Sequence, residues 1–159
     1  MANGFYLSVK ASKQGDLKGE GSKAQNKIRI LGFNYGVQSP RDPASGLPTG
    51  RRFHHPITIY KEWGVISPQL FEAMATNENL PAVVIEEVRI NSKGQEAVYM
   101  EIRLTNANIS AIEIDPEQSI MPPLWTNREI ERVSFSFQKI EIENKASKAI
   151  AQDDWEANV

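Results

Sequence analysis

Hydrophobic and polar residues alternate in several stretches of this chain, which is the period-2 pattern of half-buried β-strands. The alternation is cleanest over 5–9, 98–104 and 133–137. The run 81–91 is rich in valine and isoleucine, and the tight-turn signal Ser92-Lys93-Gly94-Gln95 separates it from the next strand, so the two predict a β-hairpin. Along the whole chain the pattern predicts about seven strands.

One segment changes from strand periodicity to helix periodicity. Alternation over 54–63 predicts a strand, and Ser67-Pro68 then supplies a preferred N-cap residue and a proline suited to the first helical turn. Leu70, Phe71 and Met74 follow at helical spacing. We therefore expect one short helix, held on the strands by these three side chains.

The hydrophobic phase slips by one residue at three places: near Leu31-Gly32, within 106–114, and after Phe137. An extra residue in one strand, a β-bulge, produces such a slip and bends the sheet. Because turns rather than helices join the strands, the sheet arrangement is antiparallel. The sequence predicts a mainly β fold: an antiparallel two-sheet β-barrel with one short α-helix on its flank. The barrel domain spans 1–144, and 145–159 forms a polar C-terminal tail.

The longest irregular stretch, at about 38–53, contains three prolines and two glycines together with Arg41, Asp42, Arg51 and Arg52. A loop of this length in a compact domain is usually functional or disordered. We therefore treat it as an extended loop that carries function.

Composition restricts the classes of function. The chain has 159 residues, enough for one domain with its own core, and it has no cysteine, which excludes disulfides and thiolate sites. A net charge of -2 predicts neither nucleic-acid binding nor attraction to anionic membranes. The N-terminus lacks the pattern of a signal peptide, and no apolar run is long enough for membrane insertion. The expected starting location is the cytoplasm.

Candidate catalytic and metal-binding groups find little support. His54-His55 are adjacent on a predicted strand, so their side chains point to opposite faces and cannot easily share an ion. The glycines of 15–21 lack the lysine and the following helix of a phosphate-binding loop. Glu86-Glu87 and Asp153-Asp154 are expected on solvated surface. We predict no enzyme activity, no cofactor and no metal site.

Several motifs nevertheless carry a resemblance. The strand end Lys61-Glu62 followed by Ser67-Pro68-Gln69-Leu70 and Ala73 resembles the middle of the haemolysin-coregulated proteins (Hcp), the tube subunits of type VI secretion systems. Phe33-Asn34-Tyr35-Gly36 is similar to the family's second strand, and Gly19-Glu20-Gly21-Ser22 to its Gly-Glu-Ser segment. Trp63 stands where the family usually has an aspartate. The resemblance runs in the same order from residue 5 to about 143.

The resemblance implies a homohexameric ring, with rings that stack into the inner tube of a contractile machine. The implied partners are further copies of this chain, the spike protein at the tube tip, the contractile sheath and effector proteins in the lumen. Export through the machine would require no signal peptide. Arg41, Asp42, Arg51 and Arg52 are the expected subunit or ring-stacking residues, because mixed charge suits an interface rim. Asn34 is the lumen candidate.

Small uncharged polar residues on the strands fit a channel lining as well as an ordinary solvated face. The strands 5–9 and 130–142 are expected as unprotected edges that copies could pair. Trp63 and Trp125 are assigned to the core. Two alternatives remain open: the tube protein of a related contractile particle or phage tail, and a ligand-binding β-barrel or enzyme that acts alone.

Overall fold

The computed structural model describes residues 4–20, 26–114 and 129–155. These residues form one helix and eleven strands: β1 Gly4–Ala11, β2 Gly15–Asp16, β3 Ile28–Ile30, β4 Gly32–Asn34, β5 Val37–Gln38, β6 Phe53–His54, β7 Ile57–Glu62, α1 Ser67–Ala75, β8 Leu80–Ile90, β9 Glu96–Ile114, β10 Ile130–Asn144 and β11 Ala149–Asp154. The mainly β fold with one short helix is confirmed.

The strands form a nine-stranded antiparallel sheet and a separate two-stranded one. The large sheet runs in the order β2-β1-β8-β9-β10-β7-β4, with β3 paired to β1 and β11 paired to β10. β3 and β4 are separated by Leu31 alone, so this segment passes directly from pairing with β1 to pairing with β7. β5 and β6 pair with each other and make up the small sheet.

The core lies on one face of this curved sheet, where rows of aliphatic residues cross several strands. Leu7 of β1 is the register partner of Ile85 in β8, which in turn faces Ile102 in β9. A second row joins Phe135 of β10 to its neighbours in β7 and β9, and Phe135 is fully buried. Alternate positions point to the other face, which is why a period-2 pattern in the sequence predicts these strands.

Two of the predicted phase slips are visible as breaks in strand pairing. Leu31 interrupts the second strand, so that β3 and β4 pair with different neighbours. In β9, Ser110 is the extra residue: Ala111 faces Ser134 and Ile109 faces Phe135, the next residue of β10. An extra residue of the kind seen in β9 is expected to bend the sheet locally.

The helix lies in the segment where the spacing predicts it, at Ser67–Ala75, but its packing differs from the expectation. Leu70 is buried, whereas the exposed fractions of Phe71 and Met74 are 64% and 38%. The prediction that all three pack on the strands is therefore wrong for Phe71 and Met74. Successive helical residues are about 100° apart, so a short helix that turns Leu70 and Ala73 inward leaves Phe71 on the outside.

Ser67 does not cap the helix as predicted. The N-cap residue is Ile66, and no side chain caps it. The Ser67 hydroxyl instead donates to Glu131 Oε2 at 2.8 Å and lies 3.1 Å from Lys61 Nζ, which donates to it. Lys61 and Glu131 are fully buried and form an ion pair at 2.7 Å. This network joins β7, β10 and the start of α1.

Trp63 follows directly after β7 and is 56% exposed, so its assignment to the core is wrong. Lys61, two residues earlier, is the buried residue that continues the inward face of β7. Trp125, the other predicted core tryptophan, lies outside the described residues.

The C-terminal segment described above as a polar tail contains β11. This strand pairs with β10 over six register positions, from Lys139 opposite Asp154 to Asn144 opposite Ala149.

The expectation of unprotected edges at 5–9 and 130–142 is wrong. β1 has β8 on one side and β2 and β3 on the other, while β10 lies between β9 and the pair β7 and β11. Sequence periodicity can indicate a strand but does not show which strands pair, so it does not reveal that these edges are covered.

Candidate functional site on the extended loop

The extended loop is a hairpin with defined hydrogen bonds. β5 and β6 form its base, and Arg41 and Pro48 make an isolated antiparallel bridge further out. At the tip, the Asp42 N–H donates to the Leu47 carbonyl at 2.8 Å, and the Gly46 N–H donates to the Asp42 carbonyl. Gly46 has a φ of 72°, a backbone conformation that favours glycine. The loop therefore presents an ordered tip.

Asp42 organises this tip through its side chain. Its carboxylate accepts hydrogen bonds from the Ser45 hydroxyl at 2.6 Å and from the backbone N–H groups of Ser45 and Ala44. These hydrogen bonds, that of the Ser45 hydroxyl first, lower the pKa of Asp42 below its usual value. Asp42 thus stays ionised and closes the turn, while Leu47 beside it is 65% exposed.

The arginines at the base bind the C-terminal strand β11 and the residue that follows it. The Arg52 guanidinium makes a bidentate contact with the Asp153 carboxylate, with Nε–Oδ2 at 2.6 Å and a second hydrogen bond from Nη2 to Oδ1. Arg51 Nη2 donates to the Trp155 carbonyl at 3.0 Å. A bidentate contact of this kind fixes the orientation of the guanidinium relative to the carboxylate as well as the distance between them.

His54 connects the same carboxylate to the segment between β4 and β5. Its Nε2 lies 2.6 Å from Asp153 Oδ2, and its Nδ1 lies 2.6 Å from the Tyr35 hydroxyl. In the neutral tautomer that fits both contacts, Nε2–H donates to Asp153 and Nδ1 accepts from Tyr35. The ring also packs against Trp155, with 5.1 Å between ring centroids. We call Tyr35, Arg52, His54 and Asp153 the Asp153 cluster.

The electrostatics of the Asp153 cluster favour the ionised carboxylate. The hydrogen bond from Arg52 is the main cause, and with the hydrogen bond from His54 it lowers the pKa of Asp153 from 3.8 to about 2. Burial raises the pKa of Tyr35, and the negative charge of Asp153 adds to this effect. Because the folded pKa of Asp153 is depressed, its stabilising contribution is present above pH 3.8 and is lost as the pH falls towards 2.

The four predicted loop residues therefore fall into two groups. Arg41 and Asp42 lie at the outer end of the hairpin, where Arg41 is exposed and Asp42 holds the turn. Arg51 and Arg52 lie at its base and contact β11 and Trp155. Sequence reasoning missed Asp153, because 145–159 shows no strand pattern and its two aspartates look like solvated surface. The paired charges of Arg52 and Asp153 are 101 residues apart.

Asn34, the lumen candidate, lies exposed on β4 as the register partner of Thr58 in β7. Thr58 faces Ser134 in β10, and their hydroxyls are 2.8 Å apart. Further along the same strands, Ser136 faces Asn108, and Asn106 Nδ2 donates to Gln138 Oε1. The structure therefore brings most of the small polar residues singled out from the sequence onto one strand surface, which we call the polar face.

Other features define no further chemical site. A cleft of about 420 Å³ lies between Tyr6, Arg29, Lys61 and Trp63 and is lined by both acidic and basic side chains. Within residues 4–20, 26–114 and 129–155, no cluster of three His, Cys, Asp or Glu side chains could hold a metal ion. No helix in this part of the chain has the length and apolar character needed to cross a bilayer.

Comparison with known proteins identifies the family. Residues 6–143 match the family model described as "Type VI secretion system effector, Hcp". The chain belongs to the Hcp family. The resemblance noted in the sequence is thereby confirmed, and the chain is a member of the Hcp group of type VI secretion tube and effector proteins.

Relatives of this Hcp protein align with all or nearly all of its length. The "Major exported protein" of Pseudomonas aeruginosa is 31% identical, in an alignment that covers 100% of this chain and 99% of the relative. Hcp1 from E. coli EAEC 042 is 26% identical over 96% of this chain and 98% of its own, with a TM-score of 0.79. A solved structure described as an Hcp protein is 24% identical over 97% and 98% of the two chains, with a TM-score of 0.86, which supports the fold.

Proposed function

We propose that this Hcp protein is a structural subunit of the inner tube of a type VI secretion machine. Six copies form a ring, and rings stack face to face into a tube. A cyclic ring requires a heterologous interface between neighbours, and a second interface between ring faces propagates the stack. The observation that carries the proposal is the family match over 6–143, which covers nearly the whole barrel.

Two surfaces of the structure suit these roles. The extended loop projects an ordered tip with exposed Leu47 and Arg41, which suits a contact between copies. The polar face presents small uncharged groups such as those of Asn34, Thr58 and Ser134, which suits a water-filled lumen. We infer that the loop tip contacts another subunit and that the polar face lines the channel.

The partners follow from the same proposal. The tube carries effector proteins in its lumen, bears a spike protein at its tip and lies inside a contractile sheath. Its work is mechanical, without a catalytic step by this chain. Sheath contraction expels the tube, so this protein leaves the cell through the machine, in keeping with the name of its Pseudomonas aeruginosa relative, the "Major exported protein".

Native mass spectrometry of the purified protein, followed by negative-stain microscopy, tests the proposal. We expect an assembly of about six chains and ring-shaped particles with a central opening, because closed cyclic symmetry is the usual form of homo-oligomers. A protein that stays monomeric at micromolar concentration would contradict the tube proposal and support a barrel that acts alone.

A further inference from the structure

The hairpin that carries the extended loop is not part of the main sheet. Among the described strands, β5 and β6 pair only with each other. The backbone joins the hairpin to the barrel through the short connections to β4 and β7. A two-stranded hairpin has little stability on its own, so side chains must decide the direction in which it projects.

The Asp153 cluster supplies such side chains. Arg52 directly precedes β6, and His54 is the last residue of that strand. Both side chains bind the Asp153 carboxylate on β11. The side chain of His54 is only 5% exposed, and those of Asp153 and Arg52 are 26% and 33% exposed, so water competes least for the hydrogen bond from His54. On the other side of the ring, Tyr35 ties His54 to the segment between β4 and β5.

β11 is itself firmly attached to the barrel. It pairs with β10 over six register positions, and the Trp155 N–H donates to the Gln138 carbonyl at 3.0 Å. Asp153 lies opposite Ile140, a buried core residue. The carboxylate is therefore a fixed point on the barrel, and a bidentate contact to it limits both the position and the tilt of the hairpin base.

We propose that Arg52 and Asp153, with His54 between Asp153 and Tyr35, are positioning residues that set the direction of the extended loop and so prepare it to contact another copy. The inference rests on the proposed tube function. A loop held in its binding direction loses less conformational freedom on association, which strengthens assembly without any contact by the cluster itself. The C-terminal strand thereby acts on assembly through the loop.

A distance measurement tests the positioning step directly. Because the chain has no cysteine, spin labels can be placed at Ala44→Cys on the loop tip and Lys93→Cys on the β8–β9 turn, with labelled protein diluted into unlabelled protein. Pulsed electron-spin resonance then reports the distribution of distances between loop and barrel. We expect a narrow distribution in the parent protein and a clearly broader one in Asp153→Asn, which keeps the shape of the side chain and removes its charge.

Stacking provides the second readout. In sedimentation velocity, we expect Asp153→Asn and Arg52→Gln each to raise the protein concentration needed for stacking by about tenfold, which corresponds to about 1.4 kcal/mol. If the two residues act through each other, the double variant should be no worse than either single variant. Glu141→Gln is the matched control, because it removes a partly exposed ion pair between Glu141 and Lys139 within β10, the strand that pairs with β11.

The outcomes separate the two proposals. An unchanged distance distribution in Asp153→Asn would overturn the positioning role, and so would a broadened distribution with normal stacking. Additive effects of the two substitutions on stacking would overturn it as well, since they would indicate independent contacts. If the parent protein forms no rings at all, the tube proposal fails, whereas the distance measurement still tests whether the cluster directs the loop. Circular dichroism and the thermal midpoint establish that every variant is folded.

Discussion

At the scale of single residues, buried charged and polar groups hold together parts of the chain that are distant in sequence. Lys61 and Glu131 are 70 residues apart and form a fully buried pair with the Ser67 hydroxyl. Glu78, also buried, accepts hydrogen bonds from the backbone N–H groups of Lys13 and Gln14 at 2.7 and 3.0 Å. Each of these residues stabilises a junction, because a buried charge is tolerated only where it is paired or hydrogen-bonded.

The first prediction concerns Lys61. Lys61→Met should lower the free energy of unfolding by about 3–5 kcal/mol, because it leaves the Glu131 carboxylate buried without its counter-ion. The double variant Lys61→Met, Glu131→Leu should recover most of that loss. Denaturant titration at a fixed protein concentration measures both, and fixing the concentration removes the effect of assembly on apparent stability.

The control for Lys61 is the exposed ion pair between Arg132 and Glu113. Glu113→Gln should change the free energy of unfolding by less than about 1 kcal/mol, as is typical of surface ion pairs. A Lys61→Met variant as stable as Glu113→Gln would show that the buried pair contributes little.

The second prediction concerns Glu78 and pH. Burial works to raise the pKa of Glu78, but the hydrogen bonds from Gln14 and Lys13 outweigh it and lower the pKa below 4.5. The stabilising contribution is therefore present above pH 4.5 and lost as the pH falls through the depressed value. Glu78→Gln should cost about 1–3 kcal/mol at pH 7, and the cost should shrink in acid.

Thermal unfolding of parent and variant between pH 7 and pH 3 checks the Glu78 prediction. Glu72→Gln serves as the control, since Glu72 is exposed on the helix and the substitution should change stability by no more than about 0.5 kcal/mol. A cost for Glu78→Gln that stays constant across the pH range would contradict the assigned hydrogen bonds.

At the scale of elements, the helix shows how tertiary packing selects among residues that look alike in the sequence. Leu70 and Phe71 are adjacent and both apolar, yet Leu70 is fully buried and Phe71 is 64% exposed. Hydrophobic spacing predicts a helix but cannot say which part of a broad apolar arc faces the core. The same applies to Trp63, which continues the strand pattern of β7 but lies beyond the end of that strand.

The third prediction uses these neighbours in the helix. Leu70→Ala should lower the free energy of unfolding by about 2–5 kcal/mol, through lost burial and the cavity that remains. Phe71→Ala should change it by less than about 0.5 kcal/mol, because the ring is already in contact with solvent. Denaturant titration of the two variants side by side measures the difference, and equal costs would contradict the burial of Leu70 and the exposure of Phe71.

At the scale of the whole molecule, the barrel and the extended loop are separate in structure and, on our proposal, in role. The core cluster of buried residues includes none from 37–54. The loop can therefore be altered without removing core contacts. This separation is what allows assembly and folding to be tested independently.

The fourth prediction removes the loop tip but keeps its base. Replacing 41–48 by an Asn-Gly turn should leave the thermal midpoint within a few degrees of the parent protein, because no core residue is lost. It should abolish stacking or ring closure in sedimentation velocity and negative-stain microscopy. Rings and tubes of normal appearance would show that the loop makes no contact between copies. The turn at 91–95, shortened in the same way, is the control loop.

The sequence by itself determined the fold class, the one helix, the β8–β9 hairpin and the family, because alternation, turn signals and co-linear motifs are local features of the chain. It also singled out the extended loop, through its prolines, glycines and charges. It could not assign different roles to the charged residues of that loop. Arg41 and Arg52 look equivalent in the sequence, and only the fold brings Asp153 to Arg52 while Arg41 stays exposed at the outer end of the loop.

The tertiary structure alone decided which strand edges are covered, which residues of the helix face the core, and how the extended loop is anchored. All three depend on contacts between residues far apart in the chain, and such contacts leave no periodic signal. β11 is the clearest case: its residues do not alternate, yet pairing with β10 makes it a strand and places Asp153 beside Arg52. The physical reason is that strand pairing and ion pairing are properties of two segments, whereas periodicity is a property of one.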